Sequence, residues 1–170
     1  MKSTPEATKT HLLADLTASR GEVLDAVRAL ATADRDRPFL GAWSAHDIVA
    51  HLIGWDCANL EAIEAIRAGS LPAFYAAYDP DWRTYNAGLV AQYRRATLAE
   101  TLAAARASHQ ALLERLAALP AEEIGRDYGV RSSSGRRVTI AMLLTVEARD
   151  ERRHASQIVA FAARETRPRE

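Results

Sequence analysis

Residues 139–165 read TIAMLLTVEARDERRHASQIVAFAARE. Both ends of this stretch have the apolar spacing of a buried helix, while Glu147 to His154 is crowded with ionisable groups. Side chains three or four apart share a helix face. At roughly 100° per residue, Asp150 lies about 40° to one side of His154 and Glu147 about 20° to the other. Ile140, Leu143, Ile158 and Phe161 fall on that same side. The polar trio therefore interrupts an apolar stripe, whereas a solvated helix keeps its charges on the opposite face. In helical bundles, ligand sites are built from inward side chains on facing helices, so this trio calls for partners elsewhere.

The rest of the chain is punctuated into long helices by a few clusters of glycine and proline. A first helix is expected from about Thr4 to Ala31, with Pro5 just inside its start. Leu12, Leu16, Val23, Leu24 and Val27 form its stripe. The second opens at WSAHDIVAHLIGWD, where Ser44 and Asp47 have capping-box spacing, and closes near Gly69. The aromatic segment Phe74–Tyr85 contains the turn signal DPDW, after which a helix restarts at Asp81 and runs to about Arg95. Thr97 and Glu100 form a second capping box, opening a helix through Leu119. GRDYGVRSSSGRRV is a turn region, a small hairpin or an ordered loop, and Thr139 caps the last helix, which ends near Arg164. The expected fold is all-α, a four-helix bundle with an extra helical segment in the third crossing, in one domain spanning 1–170 with its core at about 4–165.

Five histidines are present, and His51, in DIVAHLIGWD, is the best-placed partner for the trio. It borders the apolar stripe of the second helix beside Ile48 and Trp55. Asp150 and His154 supply two ligands from one helix and His51 a third from another, a set that suits a catalytic metal with an open position. Two nitrogens and one oxygen fit zinc, nickel, iron or manganese alike. The competing interpretation is an ordinary i,i+4 pair of Asp150 and His154 in a solvated groove. Glu147 is placed as a general base or as a residue that orients a ligand. His11 and His46 read as solvated, and His109 as a polar-face or packing residue. Trp55, Tyr78, Trp82 and Tyr85 are candidate walls of a substrate pocket, with the aromatic segment either a lid or a plug for one end of the bundle. SSSGRR lacks the spacing of a P-loop and no strand–turn–helix surrounds its serines, so it reads as a turn.

The totals exclude several classes. The 22 basic and 22 acidic residues balance, which argues against nucleic acid and against an anionic membrane surface. The single Cys57 excludes an intramolecular disulfide framework and fits a reducing cytoplasm. No signal-peptide core and no apolar run near the roughly 20 residues of a membrane span are present.

GAWSAHDIVAHLIGWD resembles the second-helix motif of the DinB-like proteins, and EARDERRHASQI resembles their last-helix motif, in which two ligands four apart are followed by Gln-Ile. HLIGW, the aromatic linker and TIAMLL bring the resemblance nearest to the ClbS/DfsB branch. It implies a four-helix bundle, frequently dimeric, with a metal held in many members by three histidines. His51, Asp150 and His154 match those positions, with Asp150 standing where histidine is common. The resemblance further implies a metal-dependent enzyme acting on a small electrophile, either a transferase or isomerase using a low-molecular-weight thiol or a hydrolase that protects its host. The alternatives are a non-catalytic small-molecule binder and a stress-associated dimeric bundle. Small molecules and a second copy of the chain are the expected partners, and no nucleic acid is expected.

Overall fold

The computed structural model describes residues 4–165, and these residues form seven α-helices. In chain order they are α1 (Pro5–Ala29), α2 (Ala45–Arg67), α3 (Tyr75–Tyr78), α4 (Trp82–Tyr93), α5 (Leu98–Ala118), α6 (Ala121–Ile124) and α7 (Ile140–Glu165). The four long helices α1, α2, α5 and α7 make the bundle. Helix α1 packs chiefly on α7, and α2 on α5 and on α4, the additional segment of the third crossing. Among the described residues no helix is long and apolar enough to cross a membrane.

Local chemistry sets the helix ends. Ser44 Oγ accepts from the Asp47 amide while the Asp47 carboxylate accepts from the Ser44 amide, and Thr97 with Glu100 repeats the arrangement on α5. Gly69, at φ +75°, closes α2. Its amide donates to Ile66 O and the Ser70 amide to Ala65 O, the paired bonds of a Schellman end. Thr139 Oγ1 accepts from the Met142 amide at the start of α7. Between α6 and α7, residues 130–138 form a turn with one antiparallel bridge, Arg131 to Arg137, in place of a true hairpin.

The core has two apolar parts. One contains Leu12, Leu16, Ile63, Ile66, Leu112 and Leu144, and the other Val27, Ile48, Leu52, Ala105, Ile158 and Phe161. Polar side chains occupy the level between them: Ser19 and Arg20 from α1, Asp56 and Asn59 from α2, His109 from α5, and Glu147 and Glu151 from α7, all buried. Arg20 Nε and Nη2 donate to Glu151 Oε1, Nη1 and Nη2 to the two oxygens of Asp56, and Nη1 also to Ala105 O. Ser19 Oγ donates to Glu151 Oε2. Burial works against the Asp56 carboxylate, but the Arg20 charge and the hydrogen bonds from Arg20 and Ser108 together outweigh it and hold the pKa of Asp56 below the usual range.

One histidine departs from expectation. His46 is buried and not solvated, with Nδ1 against Asp36 Oδ1 at 2.8 Å and Nε2 against Thr101 Oγ1 at 2.7 Å. The start of α5 covers it, a contact between distant segments that its own helix pattern does not contain. His109 is also buried, 3.7 Å from Asp56 Oδ1, and neither ring nitrogen makes a hydrogen bond. His11 is exposed.

Candidate metal centre and its clefts

The polar level reaches the surface of the bundle where α2 meets α7. His51 lies in the second turn of α2, and Asp150 and His154 are one turn apart on α7. Their nearest ligand atoms lie within 4.8 Å of one another. Asp150 Oδ2 is 3.4 Å from His154 Nε2 and 4.0 Å from His51 Nε2. Both separations exceed the roughly 2.7–3.2 Å of an ordinary N–H···O bond. The three groups therefore converge without satisfying one another, and His51 Nδ1 is buried with no hydrogen-bond partner at all. Two imidazoles and a carboxylate in this arrangement are a donor set that fits a divalent transition ion.

Neighbouring residues orient the donors. Gln157, three residues beyond His154, faces His154 Nδ1 with its Oε1 at 2.9 Å. Nδ1–H donating there would leave Nε2 as the ligating nitrogen. The ring of His51 packs against Trp43 with centroids 5.0 Å apart, and against His154 at 5.3 Å. Burial lowers the His51 pKa, against the opposing pull of Asp150, so the neutral, ligand-competent form is favoured. Burial would raise the Asp150 pKa, but the His154 and His51 imidazoles outweigh it and hold the carboxyl well below its usual range.

Glu147 stands one turn before Asp150 and 151 on α7, fully inside the polar level. Its Oε2 accepts from Asn59 Nδ2 at 3.2 Å. Burial, reinforced by the charges of Glu151 and Asp56, pushes its pKa well above the ordinary carboxyl value. The raised pKa favours the protonated carboxyl.

Two clefts of about 490 and about 550 Å³ adjoin the triad, the second lined by all three donors and the first by Asp150 alone. Tyr78, Asn86 and Asp150 line both. The first cleft carries Trp55, Phe74 and Glu147, and the second His51, His154, Trp43 and Trp82. Tyr78 thus stands where a cleft holding the imidazoles meets a cleft holding Glu147. Trp55 anchors the aromatic wall, edge-on to Phe74 at 5.2 Å and to Tyr78 at 5.4 Å, with its Nε1 donating to Asn86 Oδ1. Tyr85 lines neither cleft and supports the wall from behind, 5.6 Å from Trp55. Trp82 sits on the rim, 48% exposed, with the Arg83 guanidinium 4.5 Å above its ring.

Asn59, Gln157 and the Arg20 network were not singled out from sequence as parts of this region. Arg20 carries the same signal as the trio on α7, a charge set inside the stripe formed by Leu16, Val23 and Leu24. Gln157 falls one turn past His154 on the same face.

The model of the DinB superfamily matches residues 15–158, and the chain belongs to that superfamily. The structure of the colibactin self-resistance protein ClbS in complex with double-stranded DNA superposes with a TM-score of 0.71 at 15% identity, over 88% of this chain and 92% of that one. DfsB, described as a sibling lethal factor precursor, gives 0.76 at 15% identity over 94% and 98%. A protein from Streptococcus pneumoniae gives 0.72 at 13% identity over 95% and 91%. These likenesses show the fold. No curated protein sequence matches the chain.

The expectation that nucleic acid is excluded as a partner is corrected by the ClbS complex, in which the same fold engages duplex DNA. Balanced totals do not exclude such a partner, because what a ligand meets is the local field of one face and not the sum over the molecule.

Proposed function

We propose that this protein is a metal-dependent enzyme acting on a small electrophilic molecule, by thiol-dependent transfer or by hydrolysis, in a detoxifying or self-protective role. The observation that carries the reading is the convergence of three mutually unsatisfied donors, from α2 and α7, in the lining of one cleft, with Asp150 reaching a second. His51, Asp150 and His154 hold the ion, from the group zinc, nickel, iron and manganese. A bound divalent ion supplies a Lewis acid that polarises and acidifies a coordinated group.

The chain's own residues do the rest. Gln157 fixes the tautomer of His154. Trp55, Tyr78 and Trp82 hold an apolar substrate over the donors and displace water from it, with Tyr85 bracing the wall. Burial and the neighbouring Asp150 raise the pKa of Tyr78, so its hydroxyl remains a hydrogen-bond donor at the junction of the clefts. Glu147 delivers a proton to a leaving group from the adjoining cleft. The self-resistance described for ClbS gives the protective role its precedent within the fold.

The test is metal analysis of untagged protein, wild type beside His51→Ala, His154→Ala, Asp150→Asn and Asp150→His. Each alanine variant loses the ion while circular dichroism keeps its helical signal, since a bundle of this size does not need an ion to fold. Asp150→Asn weakens the site, and Asp150→His shifts preference toward zinc or nickel. Wild-type protein without stoichiometric metal, whose melting temperature zinc, nickel and manganese all leave unchanged, would sink the proposal. A non-catalytic small-molecule binder would then account better for the clefts.

A further inference from the structure

The SSSGRR turn read from sequence as a mere connection forms one edge of the first cleft. Ser132–Ser134, Arg136 and Arg137 line it, and Arg149 of α7 lines it too. The turn has a defined shape. The Ser132 amide donates to Arg136 O, the Gly135 amide to Ser132 O, and the Val138 amide to Val130 O. Ser133 Oγ donates to Asp79 Oδ2 at 2.7 Å, fastening the turn to the end of α3. The arginines therefore project from a held edge.

The charges of this cleft divide by direction. Of its three carboxylates, Asp79 accepts from Ser133 and Glu147 from Asn59, while Asp150 belongs to the donor triad with the two imidazoles. Arg136, Arg137 and Arg149 are exposed, and among the described residues none of the three forms a salt bridge. Arg20, Arg67, Arg94, Arg115, Arg131 and Arg152, by contrast, are each paired with a carboxylate. In the same cleft, Trp55, Phe74 and Tyr78 offer ring surface.

We infer that the first cleft selects a small molecule with an anionic group at one end and an apolar or aromatic body at the other. The anion lies against Arg136, Arg137 and Arg149, and the body against Trp55, Phe74 and Tyr78, toward the donor triad. This names the substrate class of the proposed enzyme and rests on that reading for its catalytic sense. A guanidinium has a planar set of donors suited to carboxylate, phosphate or sulfonate oxygens, and an arginine with no internal partner has its donors free for them. Three such groups lining one cleft also raise the local concentration of an anion, an effect that salt reduces.

Two dyes of nearly identical ring structure test this: 8-anilinonaphthalene-1-sulfonate, an anion, and N-phenyl-1-naphthylamine, its neutral counterpart. Fluorescence titrations of the full chain are compared for wild type, Arg136→Gln/Arg137→Gln, Arg149→Gln, Phe74→Ala and Arg153→Gln. Arg153 belongs to the other cleft and serves as the control. Wild type binds the anionic dye more tightly than the neutral one. The double variant weakens the anionic dye about tenfold, the loss expected for removing charged hydrogen bonds, and leaves the neutral dye unchanged. Arg149→Gln acts in the same direction, Arg153→Gln has little effect, and Phe74→Ala weakens both dyes.

Equal affinity for the two dyes overturns the inference, as does an anionic preference that the cleft arginines leave intact. An Arg153→Gln loss as large as that of Arg149→Gln means a general basic field and overturns it as well. A short DNA duplex provides the last arm. If the arginine variants weaken the duplex and not the anionic dye, the edge serves a nucleic-acid backbone and the small-anion class is wrong. Metal content is measured on the same samples, so failure of the metal site and failure of the anion edge register separately.

Discussion

Arg20 uses every N–H of its guanidinium, dividing them between Asp56, Glu151 and the Ala105 carbonyl. Replacing it with Met leaves two buried carboxylates without their counter-charge. Loss of one partner from such a buried network costs about 3–5 kcal/mol. Urea denaturation of Arg20→Met should show a loss of that size, and a loss under about 1 kcal/mol would mean water reaches the layer. Glu147 makes the opposite case. Its native pKa is raised, so the unfolded chain releases this proton first as pH climbs. The stability linked to it is complete below the unfolded value of about 4.3 and is lost as pH rises toward the native value. Glu147→Gln removes that loss. In chelator, the variant should therefore gain on wild type between about pH 5 and pH 8, and an unchanging difference across that window would show Glu147 to be ionised.

At the scale of elements, the aromatic wall depends on how closely α4 approaches α2. A Cβ placed on Gly54 would meet Leu89 Cβ at 2.7 Å, and that atom cannot swing aside as a long side chain would. Gly54→Ala therefore pushes α4 outward, at the roughly 1–3 kcal/mol typical of overpacking. Because α4 carries Asn86, the partner of Trp55, the displacement should also weaken binding of the neutral dye. Retention of both stability and dye affinity would show that α4 shifts without disturbing the wall. Trp82, at the start of α4, is a rim residue by its exposure. Trp82→Ala should weaken apolar ligands yet cost less than about 1 kcal/mol of stability. A thermal or urea loss of about 3–5 kcal/mol, as for a truncated core aromatic, would instead make it a plug.

For the whole molecule, the divided core has a consequence for ligand linkage. The triad joins α2 to α7, and the polar level joins those two helices to α1 and α5. An ion bound only by the folded form raises stability by about 2.7 kcal/mol at one hundred times its Kd. In a chain of this length each kcal/mol moves Tm by about 2–4 °C. Saturating metal should thus raise Tm by several degrees, and His51→Ala should abolish the rise. Acid should reverse it. The buried His51 resists protonation, so stability falls as pH drops through the unfolded histidine value of about 6.5. Calorimetry across about pH 5–8, with and without zinc, follows both effects at once.

Periodicity and capping carried the architecture. The spacing of Leu12, Leu16 and Val23, the Ser44–Asp47 and Thr97–Glu100 boxes, and the glycine after α2 each act within a few residues, so the chain alone determined four long helices and their ends. The interrupted stripe on α7 likewise pointed to a polar cluster facing α2, because helical phase is a local property. What lay beyond it needed the tertiary structure. Which of Glu151 and Glu147 takes the counter-charge depends on Arg20, more than a hundred residues away, and Glu147, left without an ion pair, has its pKa raised. The burial of His46 follows from the start of α5 closing over it. The placing of Arg136 and Arg137 on the same cleft as Arg149 follows from a turn fastened to α3 by Ser133 and Asp79. Local pattern determines what a segment becomes, and only packing between segments decides which side chains lose water, and with it their pKa, their partners and their chemistry.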